Sequence, residues 1–182
     1  MAGLTGDGTT ARSLACDADP TVRATALAAL DRLGQLGDDE VEAALADGSA
    51  VVRRRAAALA AWRPAVGLAV ALDDPEPLVV ETAAWACGER SATDAATFEA
   101  LVAAAGDHPD PRCREAAVAA LGAIGDARAL DVILAATRDR PAVRRRAVSA
   151  LAPFAGPEVD AALARARQDR DWQVRQAAED LS

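Results

Sequence analysis

Two runs of three arginines, at 53–55 and 144–146, have the most obvious capacity for chemistry in this chain of 182 residues. Clustered guanidinium groups bind phosphate oxygens, and a nucleic-acid-binding surface is built from many such cations. The whole chain, however, has a formal net charge of -8. This acidic balance argues against a nucleic acid as the partner, so the arginines need another explanation.

Other reactive side chains are few and scattered. The chain has one histidine, His108, and three cysteines, Cys16, Cys87 and Cys113, and no two of these have the close spacing of zinc ligands. The carboxylates show no catalytic pair. We therefore predict no catalytic residue, no metal and no cofactor. Isolated cysteines and the lack of a signal-like or membrane-spanning stretch favour a cytoplasmic protein that has no membrane partner.

One pattern, Val-Arg-x-x-Ala-Ala-x-Ala-Leu, recurs along the chain after a turn rich in Asp and Pro. Its copies are spaced about 30 residues apart, a period typical of solenoids. The first position of the motif is held in turn by Val22, Val52, Val79, Cys113, Val143 and Val174.

Each interval between two copies contains a second apolar segment, such as 38–47 or 97–107, in which apolar residues recur three and four positions apart. This spacing indicates amphipathic helices, and neither helix of a unit can bury its apolar face alone. We therefore predict an all-α protein, an α-solenoid of about six stacked helix pairs. Residues 1–9 are predicted to be a flexible N-terminus, and 10–182 a single repeat domain.

The best copy, DPRCREAAVAALGAIGDARALDVILAATRDRPAVRRRAVSAL at 110–151, resembles the HEAT repeat in its short form, the PBS-lyase HEAT-like repeat. The resemblance extends over nearly the whole chain. It implies that the second helix of each pair lines the concave side of the stack.

The resemblance also implies a ladder in which the arginine after each motif Val is paired with an aspartate of the turns. A guanidinium at a helix flank needs acceptors, and it can bridge a carboxylate and turn carbonyls. The predicted arginines are Arg23, Arg53, Arg114, Arg144 and Arg175. The predicted aspartates are Asp19, Asp47, Asp110, Asp139 and Asp171. The third copy lacks this arginine and has Val80 instead.

Positions two, six and ten residues after the motif Val are expected to face the groove. The candidate partner-binding residues are Arg54, Arg55, Trp62, Glu81, Trp85, Glu115, Arg145 and Ser149. Trp62 and Trp85 are predicted to meet on the groove wall, where exposed aromatic side chains can anchor a partner. Trp172 is predicted to be a packing residue.

The function favoured by the sequence is a non-enzymatic scaffold or protein–protein interaction module that binds a peptide or protein through the groove. An enzyme-associated subunit resembling bilin lyases is the alternative, with Trp62 and Trp85 stacked on a chromophore. A HEAT-like DNA glycosylase is less favoured because such an enzyme needs a basic groove. We expect a monomer, with a weak dimer as the alternative.

Overall fold

A computed structural model describes residues 8–181. These residues form twelve α-helices and no β-strand, arranged as six consecutive helix pairs. The first helices are α1 (Gly8–Leu14), α3 (Asp38–Leu45), α5 (Ala69–Leu72), α7 (Ala95–Asp107), α9 (Leu130–Ala136) and α11 (Pro157–Ala166). The second helices are α2 (Pro20–Arg32), α4 (Ala50–Leu59), α6 (Pro77–Gly88), α8 (Pro111–Ile124), α10 (Pro141–Ala150) and α12 (Trp172–Glu179). Short 3-10 turns at Ala60–Trp62 and Ala127–Ala129 follow α4 and precede α9.

This architecture confirms the predicted α-solenoid. Of the predicted flexible segment 1–9, residues 1–7 lie outside the described residues, while Gly8 and Thr9 already belong to α1. That 10–182 is a single domain stays a prediction.

The turns of the repeat specify where the second helices begin. Asp19, Asp110 and Asp171 each precede a second helix, and the carboxylate of each accepts a hydrogen bond from the backbone N–H two residues later. This N-cap satisfies an amide that has no partner within the helix. Proline follows two of these caps, as Pro20 and Pro111, at the first helical position where its missing N–H does no harm.

The motif positions form the core. In the last five copies the first motif residue is at most 2% exposed, and the alanine four residues later is buried in all six copies. Alanine leaves little side chain between helices, so the second helices of neighbouring pairs pack closely along the stack, α6 against α8 and α8 against α10 most extensively. At Gly122 in α8 the approach is so close that an added Cβ would lie 2.5 Å from Cβ of Ala150 in α10.

No helix among residues 8–181 is both long enough and apolar enough to cross a membrane.

Candidate functional site

Four arginines connect the turns of successive repeats through paired hydrogen bonds. Nε and Nη2 of each donate to the two carboxylate oxygens of an aspartate in the turn of the following repeat, at 2.6–2.9 Å. Nη1 donates to a backbone carbonyl of the turn that precedes its own helix. The pairs are Arg23–Asp47, Arg53–Asp74, Arg114–Asp139 and Arg144–Asp169.

The observed pairs use partly different aspartates from the predicted ones. Asp47 and Asp139 are acceptors as predicted, and each accepts from the arginine of the preceding repeat. Asp19, Asp110 and Asp171 are N-caps instead, because they lie immediately before the helix, where the backbone amides point at them. In this chain the aspartate four or five residues before the motif Val is the one that reaches the neighbouring repeat.

Asp74 and Asp169 are the two acceptors that the sequence reasoning missed. Arg175 donates through Nη1 to the carbonyls of Asp169 and Arg170, and it has no carboxylate partner among residues 8–181. The spacing to the motif Val was the signal that could have identified Asp74 and Asp169.

The ladder is interrupted between the third and fourth repeats. Val80 replaces the arginine and is fully buried. On the other side His108 occupies the place of the acceptor, five residues before Cys113, and its Nδ1 accepts a hydrogen bond from the N–H of Asp110 at 3.1 Å. Both partners of the ion pair have thus been replaced together, so neither a ladder arginine nor a ladder aspartate is left without its partner at this junction.

The ladder lowers the pKa of its aspartates. Hydrogen bonds from the arginines hold the pKa values of Asp47, Asp139 and Asp169 below the ordinary value. For Asp74 burial is the largest influence and raises the pKa, but the hydrogen bonds from Arg53 and from the N–H of Glu76 outweigh it. All four carboxylates are therefore ionised at neutral pH.

A second set of arginines, not predicted from the sequence, connects the opposite ends of the second helices. Arg63 donates to the carboxylate of Asp31 at 2.7 Å. Arg90 is buried and donates through Nε and Nη2 to the carbonyl of Ala60, at 3.0 and 2.8 Å, where α4 has ended. Burial lowers the pKa of Arg90 from its ordinary value. Both arginines bind the preceding repeat, so they too are structural.

Clefts lie along the exposed side of the second helices, called here the groove face, and three of them within residues 8–181 have the following linings. The first, the arginine cleft, is lined by Thr21, Ala24, Thr25, Val51, Arg54, Arg55, Ala58 and Thr82. The second, the tryptophan cleft, is lined by Trp85, Gly88, Glu89, Ala116, Ala119, Ala120 and Ala123. The third, the C-terminal cleft, is lined by Arg145, Arg146, Ser149, Trp172, Gln173, Gln176, Ala177 and Asp180.

Trp85 is an exposed aromatic residue beside a surface of small side chains. Its side chain lies on α6 at 46% exposure, and α8 opposite presents only alanines to the cleft. The helices approach closely here because Gly88 has no side chain, and a Cβ at that position would lie 3.3 Å from Cα of Ala120. The cleft therefore offers one large apolar surface with free space next to it.

The predicted meeting of Trp62 and Trp85 stays a prediction. Helix α4 ends at Leu59, and Trp62 lies in the 3-10 turn that follows. Trp62 is 67% exposed and lines none of the three clefts, and no ring contact joins it to Trp85 in the described part of the chain. Trp172, in contrast, is 64% exposed and lines the C-terminal cleft, where the sequence predicted a packing residue.

The charged groove residues are paired unequally. Glu115 accepts a hydrogen bond from Nη2 of Arg145 at 3.2 Å, and Nη2 of Arg146 lies 3.8 Å from the same carboxylate. Glu81 lies 3.7 Å from Nε of Arg112. Arg54 and Arg55 are exposed, and within residues 8–181 neither makes a hydrogen bond or an ion pair through its side chain.

The cysteines do not assemble into a reactive site. Cys87 and Cys113 are buried, and burial raises the pKa of each thiol to about 11. Cys16 is exposed. Across residues 8–181, no group of three or more His, Cys, Asp or Glu side chains is placed to hold a metal ion.

The repeated helix pairs and the arginine ladder define an α-solenoid repeat protein. The family model for HEAT repeats matches residues 65–152, the region of helices α5–α10. This match covers just under half of the chain, and together with the fold it confirms the resemblance to HEAT repeat proteins. No curated protein matches the chain significantly.

Three solved structures with a similar fold are designed or engineered proteins. A designed armadillo repeat protein in complex with the peptide (KR)4 has a TM-score of 0.69 at 17% identity, over 97% of this chain and 98% of that chain. Another designed armadillo repeat protein has a TM-score of 0.61 at 19% identity, over 96% and 97% of the two chains. An engineered protein has a TM-score of 0.66 at 19% identity, over 96% and 94%. These likenesses show a solenoid fold.

Proposed function

We propose that this protein is a non-enzymatic binding module that holds a peptide or a segment of a partner protein on its groove face. The observation that carries the proposal is Trp85, exposed beside the alanine surface of α8. Tryptophan is the residue most enriched among the side chains that dominate binding energy, and it acts best where a partner can cover it completely.

The rest of the groove face supports the proposal. The second helices pack against one another more closely along the stack than the first helices do. In a solenoid the more closely packed layer lies on the concave side. Along the groove face, the apolar tryptophan cleft lies between the more polar arginine cleft and C-terminal cleft. This order suits an extended segment held by separate side-chain contacts. One protein of similar fold binds the peptide (KR)4, so this kind of stack can hold an extended chain.

The groove residues of the proposal are Arg54, Arg55, Glu81, Trp85, Glu115, Arg145 and Ser149, and Trp172 is added to them. Trp62 is left out because it lies beyond the end of α4 and lines none of the clefts. The ladder residues are assigned to stability. Four of the five ladder arginines already bind carboxylates, and a net charge of -8 opposes the approach of a nucleic acid. The unpaired cysteines suit the cytoplasm, and we propose that the module acts there as a monomer.

A peptide-display selection against the whole chain tests the proposal. We expect enriched peptides that contain a large apolar side chain and bind at least about tenfold more weakly to Trp85→Ala, the loss typical of a central interface residue. The control is Val70→Ala in α5, which truncates an exposed apolar side chain on a first helix. The proposal is wrong if no peptide is enriched, or if both variants bind the enriched peptides as the unmodified chain does.

A further inference from the structure

We propose that the arginine cleft is an anion subsite that selects partners carrying Asp or Glu close to the apolar residue held by Trp85. This inference rests on the proposed function and names the chemistry of the segment that the groove face takes. Its central observation is the difference between the two arginine runs, which share a sequence pattern but not an electrostatic environment.

The second run is neutralised by the protein itself. Arg145 and Arg146 in α10 lie 3.2 and 3.8 Å from the carboxylate of Glu115, which α8 supplies from the preceding repeat. Arg145 Nη1 also donates to the side chain of Gln173 at 3.3 Å. These guanidinium groups therefore have acceptors without any partner molecule.

The first run has no equivalent acceptor. Arg54 and Arg55 lie on α4, and the second helix of the repeat before them is α2. At the motif position that Glu115 holds on α8, α2 has Ala24, which is buried. Thr21 and Thr25 are the other residues that α2 contributes to the cleft, and the hydroxyl of Thr25 already donates to the carbonyl of Thr21. As a result two neighbouring guanidinium groups line a cleft of about 430 Å³ that contains no carboxylate.

Burial of such a pair by a partner requires an anionic group. A guanidinium without acceptors loses hydration when it is covered, and a carboxylate restores the lost hydrogen bonds with a matching planar geometry. A basic partner is disfavoured here by like charge, although one protein of similar fold binds the basic peptide (KR)4. Charge complementarity therefore favours an acidic protein segment.

The position of the cleft fixes where the acidic residue must lie. Thr82 forms the edge of the arginine cleft on α6, and Trp85 stands three residues further on the same helix. The guanidinium groups of Arg54 and Arg55, however, lie on α4, one repeat before Trp85, and packed helices are about 8–10 Å apart. A single extended segment, at about 3.3 Å per residue, can thus contact both clefts with residues about three positions apart.

Nuclear magnetic resonance tests the subsite without a selected partner. The probe is the capped dipeptide acetyl-Glu-Asp-amide, added to the full chain while the Nε–Hε signals of the arginines are followed. We expect shifts of Arg54 and Arg55 that diminish at high salt, since exposed charges are screened. Acetyl-Gln-Asn-amide is the matched neutral probe and should leave these signals unchanged. Equal shifts with both dipeptides, or none with the acidic one, would refute the subsite.

The display selection then separates the subsite from the proposed function. We expect Asp or Glu to be enriched about three positions from the apolar residue. This preference should vanish for the double variant Arg54→Gln/Arg55→Gln, with affinity lowered about three- to tenfold. The control Arg138→Gln/Arg165→Gln removes the same charge from outside the groove face and should keep the preference. Peptides that need Trp85 but show no preference for acid would overturn the subsite while leaving the binding function intact. Tighter binding of a single-stranded oligonucleotide than of the acidic peptides would also overturn it.

Discussion

Asp74 accepts two hydrogen bonds from Arg53, at 2.6 Å from Nε and 2.9 Å from Nη2, although the two residues belong to different repeats. The aspartate side chain is only 5% exposed. A guanidinium at the start of one second helix is thereby fastened to the turn of the next repeat, and the same connection recurs at three other junctions.

Removing this arginine is expected to destabilise the stack. Arg53→Met keeps most of the side-chain volume but leaves the buried Asp74 without its guanidinium donor. The substitution should lower the free energy of unfolding, measured with urea, by about 2–3 kcal/mol. The next residue provides the control, because Arg54 is exposed and unpaired. Arg54→Met should change the free energy by less than about 0.5 kcal/mol. Equal losses in the two variants would show that the ladder contributes nothing specific.

Acid should weaken the fold through the same carboxylates. The pKa values of Asp47, Asp74, Asp139 and Asp169 are lowered in the folded state, so the unfolded chain takes up protons first as the pH falls. Their contribution is complete above the unfolded pKa near 3.8 and is lost as the pH falls through the lower folded values. Urea unfolding at a series of pH values should show this loss, with a shallower dependence for Asp139→Asn. An identical pH dependence in that variant would contradict the assignment.

The contact between α8 and α10 should not tolerate even a methyl group. A Cβ at Gly122 would lie 2.6 Å from Cα of Ala150, so Gly122→Ala must push two helices apart and should cost about 1–3 kcal/mol. Gly48→Ala is the control, since a Cβ there meets nothing within 4 Å. That substitution should be neutral or stabilise by up to about 1 kcal/mol, because alanine restricts the unfolded chain. A neutral Gly122→Ala would mean that these helices are packed less closely than described.

The thiols should differ in reactivity. Burial and a pKa of about 11 keep Cys87 and Cys113 protonated and shielded near neutral pH, while Cys16 is exposed. With a thiol-specific chromogenic reagent we expect Cys16 to react rapidly and the two others only after denaturation. A Cys16→Ser variant should therefore lose the rapid phase. Rapid reaction of all three thiols in the native chain would contradict the burial of the core positions.

The repeat pattern was sufficient to predict the fold because the copies repeat the same packing and pairing residues at the same spacing. An apolar residue, an alanine one turn later and an arginine at the flank occur together in five of the six copies, as at Val52, Arg53 and Ala56. The replacement of the arginine by Val80 was also visible, and the structure explains it by the burial of that side chain.

The finer geometry was not predictable from the pattern. The turn at 169–171 contains two aspartates, and only the backbone direction decides that Asp171 caps the helix while Asp169 reaches the neighbouring repeat. Nothing in the sequence indicates the change from α-helix to 3-10 turn at Ala60, so the position of Trp62 could not be extrapolated from a continuous helix. The unequal pairing of the two arginine runs depends on the neighbouring helix, so it emerged only from the packing.

The fluorescence of Trp85 tests the central claim most directly. The variant Trp62→Phe/Trp172→Phe retains Trp85 as its only tryptophan, and it can be titrated with the peptides selected on the unmodified chain. We predict a blue shift of the emission and protection from acrylamide, because the partner covers the ring. A companion variant that retains only Trp62 should show neither change. Tight peptide binding with unchanged Trp85 emission would contradict the account, since the partner would then occupy another surface.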